Sequence, residues 1–230
     1  MENKIDRRIK YVIVLDTETA PMDKDSQGVD PYNMLVYDVG FAVCDKRGNV
    51  YETFSFVNYD VYVCEKSLMK SAYYADKIPL YEKQIASGER KLVKFSTIRK
   101  VLNEVIQKYG ITEIYAHNHR FDLGALNNTE RWLTKSKYRY FYPRYVEIYD
   151  TLKMSRQILG KQKAYKEYCK LNGYMTKNNQ CRFTAEIIYR YITGNKEFKE
   201  EHQGLQDVLI EKEILSYCVS RHKKMNGKLF

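Results

Sequence analysis

The apolar run Tyr11-Val12-Ile13-Val14-Leu15 stands directly before Asp16-Thr17-Glu18. Its β-branched residues predict a buried strand that ends in two acids. Residues 20–32 are polar, carry two prolines and a glycine, and predict a loop. Residues 34–44 are again β-branched and aromatic. After Asp45-Lys46-Arg47-Gly48-Asn49, a turn by its chemistry, residues 50–57 alternate: Tyr51, Thr53 and Ser55 against Glu52, Phe54 and Phe56. That is a hairpin following the first strand.

Helical spacing takes over from residue 63. Residues 63–90 predict two short helices split at Ile78-Pro79. Phe95, Ile98, Leu102, Val105, Ile106 and Tyr109 then share one helix face, with Gly110 at the C-cap position. A short strand at 113–116, a helix over 120–133 and a strand at 145–149 come next. From residue 164 the pattern is helical, with Gly194 as one stop and a last helix at 205–220. Three strands, helices, strand, helix, strand, helices fit an α/β fold whose mixed sheet starts with an antiparallel hairpin and is flanked by helices. No linker divides the chain, so residues 1–230 read as one domain with a helical insertion at about 63–90.

Composition narrows the partners. The net charge of +10 favours a polyanion, nucleic acid being the commonest. The five cysteines form no Cys-x-x-Cys pair and read as reduced intracellular thiols without a zinc site. A charged N-terminal stretch and a five-residue apolar run match neither a signal peptide nor a membrane span, so a cytoplasmic location and no membrane partner are expected.

The candidate chemistry lies in acids. Residues i and i+2 of a strand share a face, so Asp16 and Glu18 project side by side. At ~4 Å and an effective dielectric of ~20 they repel by about 4 kcal/mol. Either they form a solvated acidic turn, or a divalent metal offsets the repulsion. Asp122 sits in the first turn of the helix after Ala116-His117-Asn118-His119, as a cap or as an acid facing the strand end. His202 and Asp207 are five apart, about 140° around a helix, and converge only if His202 precedes the helix that Asp207 opens. Asp207 also heads the apolar stripe Ile210, Ile214, Cys218. Residues 135–145 mix Lys and Arg with tyrosines, which suits single-stranded nucleic acid and equally suits packing over the last strand.

In order, Asp16-Thr17-Glu18, Asn118 to Asp122, and His202 to Asp207 resemble the three motifs of the DEDDh 3′–5′ exonucleases, the DnaQ-like group of the RNase H-like superfamily. The helix-rich 63–90 stretch is similar to small phage exonucleases. The resemblance implies an RNase H-like fold and two divalent cations, Mg²⁺ or Mn²⁺. Asp16 would bridge them, Glu18 and Asp207 would hold the nucleophile-side ion, and Asp122 the other. His202 would be the general base, while Thr17, Asn118 and Phe121 would touch the substrate's terminal nucleotide. The implied activity is 3′–5′ exonucleolysis releasing nucleoside 5′-monophosphates from single-stranded nucleic acid, DNA first and RNA as the alternative. The rival is a binding or proofreading subunit that serves a polymerase or replication partner. The polar stretch 195–201 before His202 predicts a mobile loop that carries it.

Overall fold

The structure is a computed structural model that describes residues 5–22, 30–72 and 75–230. These form a six-stranded sheet in the order β4-β3-β2-β1-β5-β6. Its strands are β1 (Tyr11–Pro21), β2 (Met34–Asp45), β3 (Val50–Asn58), β4 (Lys91–Val93), β5 (Glu113–Ala116) and β6 (Glu147–Asp150). Neighbours β1–β2 and β2–β3 run antiparallel, while β1–β5, β5–β6 and β3–β4 run parallel. The mixed sheet begun by an antiparallel hairpin is the one that the hydrophobic pattern predicts.

Helices cover both faces. They are α1 (Tyr59–Tyr62), α2 (Lys66–Met69), α3 (Ile78–Ala86), α4 (Phe95–Tyr109), α5 (His119–Thr134), α6 (Thr151–Ile158), α7 (Lys163–Leu171), α8 (Ala185–Thr193) and α9 (Gly204–Ser220). Strand parity sorts the core. Ile13, Leu15, Val39 and Phe41 meet Ile98 and Leu102 of α4 and Leu126 of α5. Val12, Val14, Ala42 and Cys44 meet Val208, Ile214 and Leu215 of α9 together with residues of α6, α7 and α8. A third cluster joins Ala20, Leu35, Tyr37 and Val57 to Val61 of α1, Met69 of α2 and Tyr81 of α3. Because the strand period is two, Asp16 and Glu18 continue the face of Val12 and Val14, under α9.

Several expectations are corrected. β1 does not stop at the acids but runs on to Pro21, pairing Asp16 with Gly40 and Glu18 with Asp38 before a register shift at Glu18/Thr19. The cross-strand partner supplies the backbone bonds that a lone strand end lacks. Part of the 20–32 loop lies outside the described residues; Pro31–Asn33 make a 3-10 turn. Strand β4 carries too short a pattern to read, and pairing to β3 makes it. Pro79 opens α3 rather than separating two helices, since the first helical turn needs no N–H from proline. The helical pattern from residue 164 breaks into α7 and α8 around a polar stretch with Gly173 at φ 72° and Asn179 at φ 56°, closed by a Met175–Cys181 bridge. The last strand begins at Glu147, not at Tyr145. No helix among the described residues is long and apolar enough to cross a membrane.

Candidate metal centre and nucleic-acid cleft

Two glycines let the third motif reach the first. A Cβ on Gly40, opposite Asp16, would lie 2.1 Å from the Leu205 nitrogen; one on Gly204 would lie 2.7 Å from the Gly40 nitrogen. Only bare backbone fits at this crossing. It seats the first turn of α9 on β1 and β2, and Asp207 lies in that turn.

The result is a close group. One ligand atom from each of Glu18, His202 and Asp207 lies within 4.8 Å of the other two. Oxygen ligands sit about 2.0–2.6 Å from Mg²⁺ or Ca²⁺, so atoms across one ion are at most about 4–5 Å apart. The three atoms therefore suit one shared cation. His202 precedes α9, as the angle argument requires, and holds φ 50°, a left-handed conformation uncommon for a side-chain-bearing residue. Its half-buried ring has its pKa lowered, chiefly by burial and then by Lys77, which favours the neutral, proton-accepting form. Lys77, just ahead of α3, donates to the Glu201 carbonyl and, at 3.3 Å, to the His202 carbonyl.

Asp122 lies buried at the start of α5, where Thr17 Oγ1 donates to its Oδ1 at 2.8 Å. Burial pushes its pKa up to about 7 and that of Asp207 up to about 8. Asp16 is raised too, by burial and then by the charges of Glu211, Asp122, Asp207 and Glu18. Glu18 is raised by burial and then by Asp38 and Asp207. Asp207 Oδ1 is buried and has no hydrogen-bond partner among the described residues. Acids that repel one another this closely, with an orphaned carboxylate oxygen among them, fit hard divalent cations.

Glu211 is the acid that motif reading missed. It stands four residues after Asp207 on the same buried helix face, and its Oε2 accepts the His117 backbone N–H at 3.1 Å. The i, i+4 spacing was the available signal.

The turn of the second motif is built by backbone demands. Asn118 has φ 66°, which asparagine tolerates better than most residues, and its N–H donates to Asp150 Oδ1 at 3.0 Å. Both flanking histidines spend both ring nitrogens. His117 reaches Thr151 Oγ1 at 3.0 Å and the Phe183 carbonyl at 2.7 Å; His119 reaches the Tyr149 carbonyl at 2.9 Å and Tyr142 Oη at 3.0 Å. Phe121 packs against the first core cluster and is not among the residues lining the cleft, whereas Thr17 and Asn118 are.

Asp16, Glu18, Asp207 and Glu211, with His202, floor a cleft of about 1170 Å³, while Asp122 is buried behind that floor and does not line it. Its wall carries Arg156, Lys161, Lys166 and Arg182, drawn from α6, α7 and the connections around them. No short motif joins these four, which is why reading the chain did not single them out. An acidic floor beneath a cationic wall can take a phosphodiester with its charge spread over both.

This mixed sheet, with acids on its central strand and α9 laid across it, has an RNase H-like fold, which it shares with solved exonuclease structures. No family model and no curated protein matches the sequence. Among solved structures, a full-length 3′-exonuclease matches over 95% of this chain and 85% of its own, with a TM-score of 0.50 and 10% identity. Exonuclease I of E. coli in complex with a dT13 oligonucleotide matches with a TM-score of 0.53 and 13% identity, over 93% of this chain and 42% of its own. A moderately thermophilic exonuclease I from Methylocaldum szegediense gives 0.51 and 16%, over 93% and 41%. The chain thus spans about two-fifths of the exonuclease I chains it resembles.

Proposed function

We propose that the chain is a metal-dependent 3′–5′ exonuclease of the DEDDh kind, releasing nucleoside 5′-monophosphates from single-stranded nucleic acid. The observation that carries the reading is the approach of Glu18, His202 and Asp207 to within 4.8 Å beside Asp16. Asp16, Glu18, Asp122 and Asp207 would hold two divalent cations, which when bound stabilise the attacking and leaving oxygens of an in-line displacement. His202 takes the proton of the attacking water, a task suited to a neutral imidazole. Thr17 and Asn118, at the cleft, position the terminal nucleotide, and the cationic wall receives the phosphates behind it. DNA is the first substrate to try and RNA the second.

The test incubates matched DNA and RNA strands labelled at the 5′ end with Mg²⁺ or Mn²⁺. Shortening one nucleotide at a time from the 3′ end, abolished in Asp16→Ala, supports the reading. Binding without degradation in the presence of either metal ends it.

A further inference from the structure

On the far side of α5 from the acids lies a groove of about 820 Å³ that shares no lining residue with the cleft. Its floor is the outer face of α5, from Arg120 through Leu123, Gly124 and Asn127 to Arg131, about 16 Å of helix. Its other bank is the approach to β6 and the last residues of the chain, which pair with that edge strand through Leu229 N to the Ile148 carbonyl at 2.8 Å.

Two features of this groove stand out. First, large rings that the core does not use gather here. Tyr32 is 64% exposed, Tyr145 61% and Phe230 77%, with Tyr140 beside them and Tyr138 on an adjoining hollow. The segment 135–145 has divided its aromatics: Phe141 and Tyr142 go into the core, while Tyr138, Tyr140 and Tyr145 face out. Packing therefore explains the first two and leaves the other three unexplained. Second, the charge is one-sided. Arg120, Arg131 and Arg144 line the groove, and Glu147 is its acid among the described residues, already paired with Lys228 at 2.6 Å. The Arg131 guanidinium lies 5.1 Å from the Tyr140 ring centroid, so cation and ring form one platform.

We propose that this groove is a second docking surface for single-stranded nucleic acid, distinct from the cleft. Exposed rings stack on bases of any sequence, and arginines track the phosphates between them. A protein partner would use the rings but would need acids to meet three arginines, whereas a nucleic acid strand supplies one negative charge per nucleotide. The inference goes beyond the proposed hydrolysis, because binding here requires no cleavage.

The test measures binding by fluorescence anisotropy in EDTA, so that hydrolysis plays no part. The probes are a long oligothymidine of about 20 nucleotides and a short one of about four, which one site can hold. Arg131→Ala/Arg144→Ala/Tyr145→Ala is compared with the wild type and with Lys83→Ala/Lys91→Ala, which removes as much charge elsewhere. The groove variant should bind the long strand about tenfold more weakly or worse. The slope of log K against log salt should be shallower by about 1.4, for two lost cations. The short strand and the control variant should bind as before, and a bromodeoxyuridine strand should photocross-link within residues 138–145. Long-strand binding within twofold of wild type, an equal loss for the short strand, or cross-links confined to the cleft would overturn the proposal. So would a variant that loses only self-association or capture of a protein. A chain that binds through the groove but never cleaves would keep this inference and end the previous one.

Discussion

Arg90 and Asp38 form a buried ion pair, Nη1 to Oδ2 at 2.6 Å, that ties the segment after α3 to β2 beside Glu18. Asp38 Oδ2 also accepts from Tyr81 Oη at 2.5 Å and from the Gly204 N–H at 3.1 Å. Arg90 Nη2 donates onward to Gln203 Oε1 at 2.8 Å, one residue from His202. Arg90 and Tyr81 thus buttress the start of α9.

Removing one partner of such a pair leaves the other charge buried and uncompensated. Arg90→Ala should therefore lower the unfolding free energy by roughly 3–5 kcal/mol. Adding Asp38→Ala to it should recover part of the loss. Urea denaturation of the two variants measures both, and a single-variant loss under about 1 kcal/mol would show that the pair carries little.

Gly40→Ala tests the crossing of β2 and α9. The new methyl would have to push Leu205 backbone away, at a cost of roughly 1–3 kcal/mol. Because that shift moves Asp207 relative to Glu18, Mn²⁺ affinity measured by calorimetry should fall together with stability.

The acids make a prediction about pH. Unfolded aspartates titrate near ~4, whereas burial holds Asp122 at about 7 and Asp207 at about 8 in the fold. Between those limits the folded chain keeps protons that the unfolded chain has released, so the contribution of these groups is fully present below ~4 and lost as pH rises through 7 to 8. The metal-free melting temperature should therefore fall across that window. Adding Mn²⁺ or Mg²⁺ should flatten the decline, because cations replace the protons. A metal-free protein that gains stability steadily from pH 5 to 8 would contradict the arrangement.

Asp207→Asn fixes that position in the neutral form that burial and its acidic neighbours favour. It should raise metal-free stability by about 1–2 kcal/mol, the usual sign when a functional site is disarmed, while abolishing cleavage. Calorimetric melting and a cleavage assay on the same preparation report both halves.

His202→Ala separates a proton acceptor from a ligand. If His202 acts as base, kcat should drop by about 10²–10⁴ with Mn²⁺ affinity nearly unchanged. A collapse of affinity with the rate would make the ring a metal ligand instead, a role its distance from Glu18 and Asp207 permits.

Every strand but β4 and the long helices α4, α5 and α9 were legible along the chain because each carries its own period. The mixed sheet follows from their order and needs no distant information. Asp16 and Glu18 were placed on one face by strand parity alone, and His202 ahead of the helix of Asp207 by an angle.

What only the tertiary structure decided is everything that depends on two distant segments meeting. Glu211 and the four cations of the cleft wall carry no motif; they become neighbours when α6, α7 and α9 pack on the sheet. Arg90 looks like any charged residue before a strand until Asp38, Tyr81 and Gln203 close around it. Phe121 fits a substrate-contact pattern by position, yet its side chain packs on the core, because which side of α5 faces the cleft is set by how the helix lies on the sheet. Local periodicity fixes which way a side chain leaves its own element. What waits there belongs to another part of the chain, and only packing brings it.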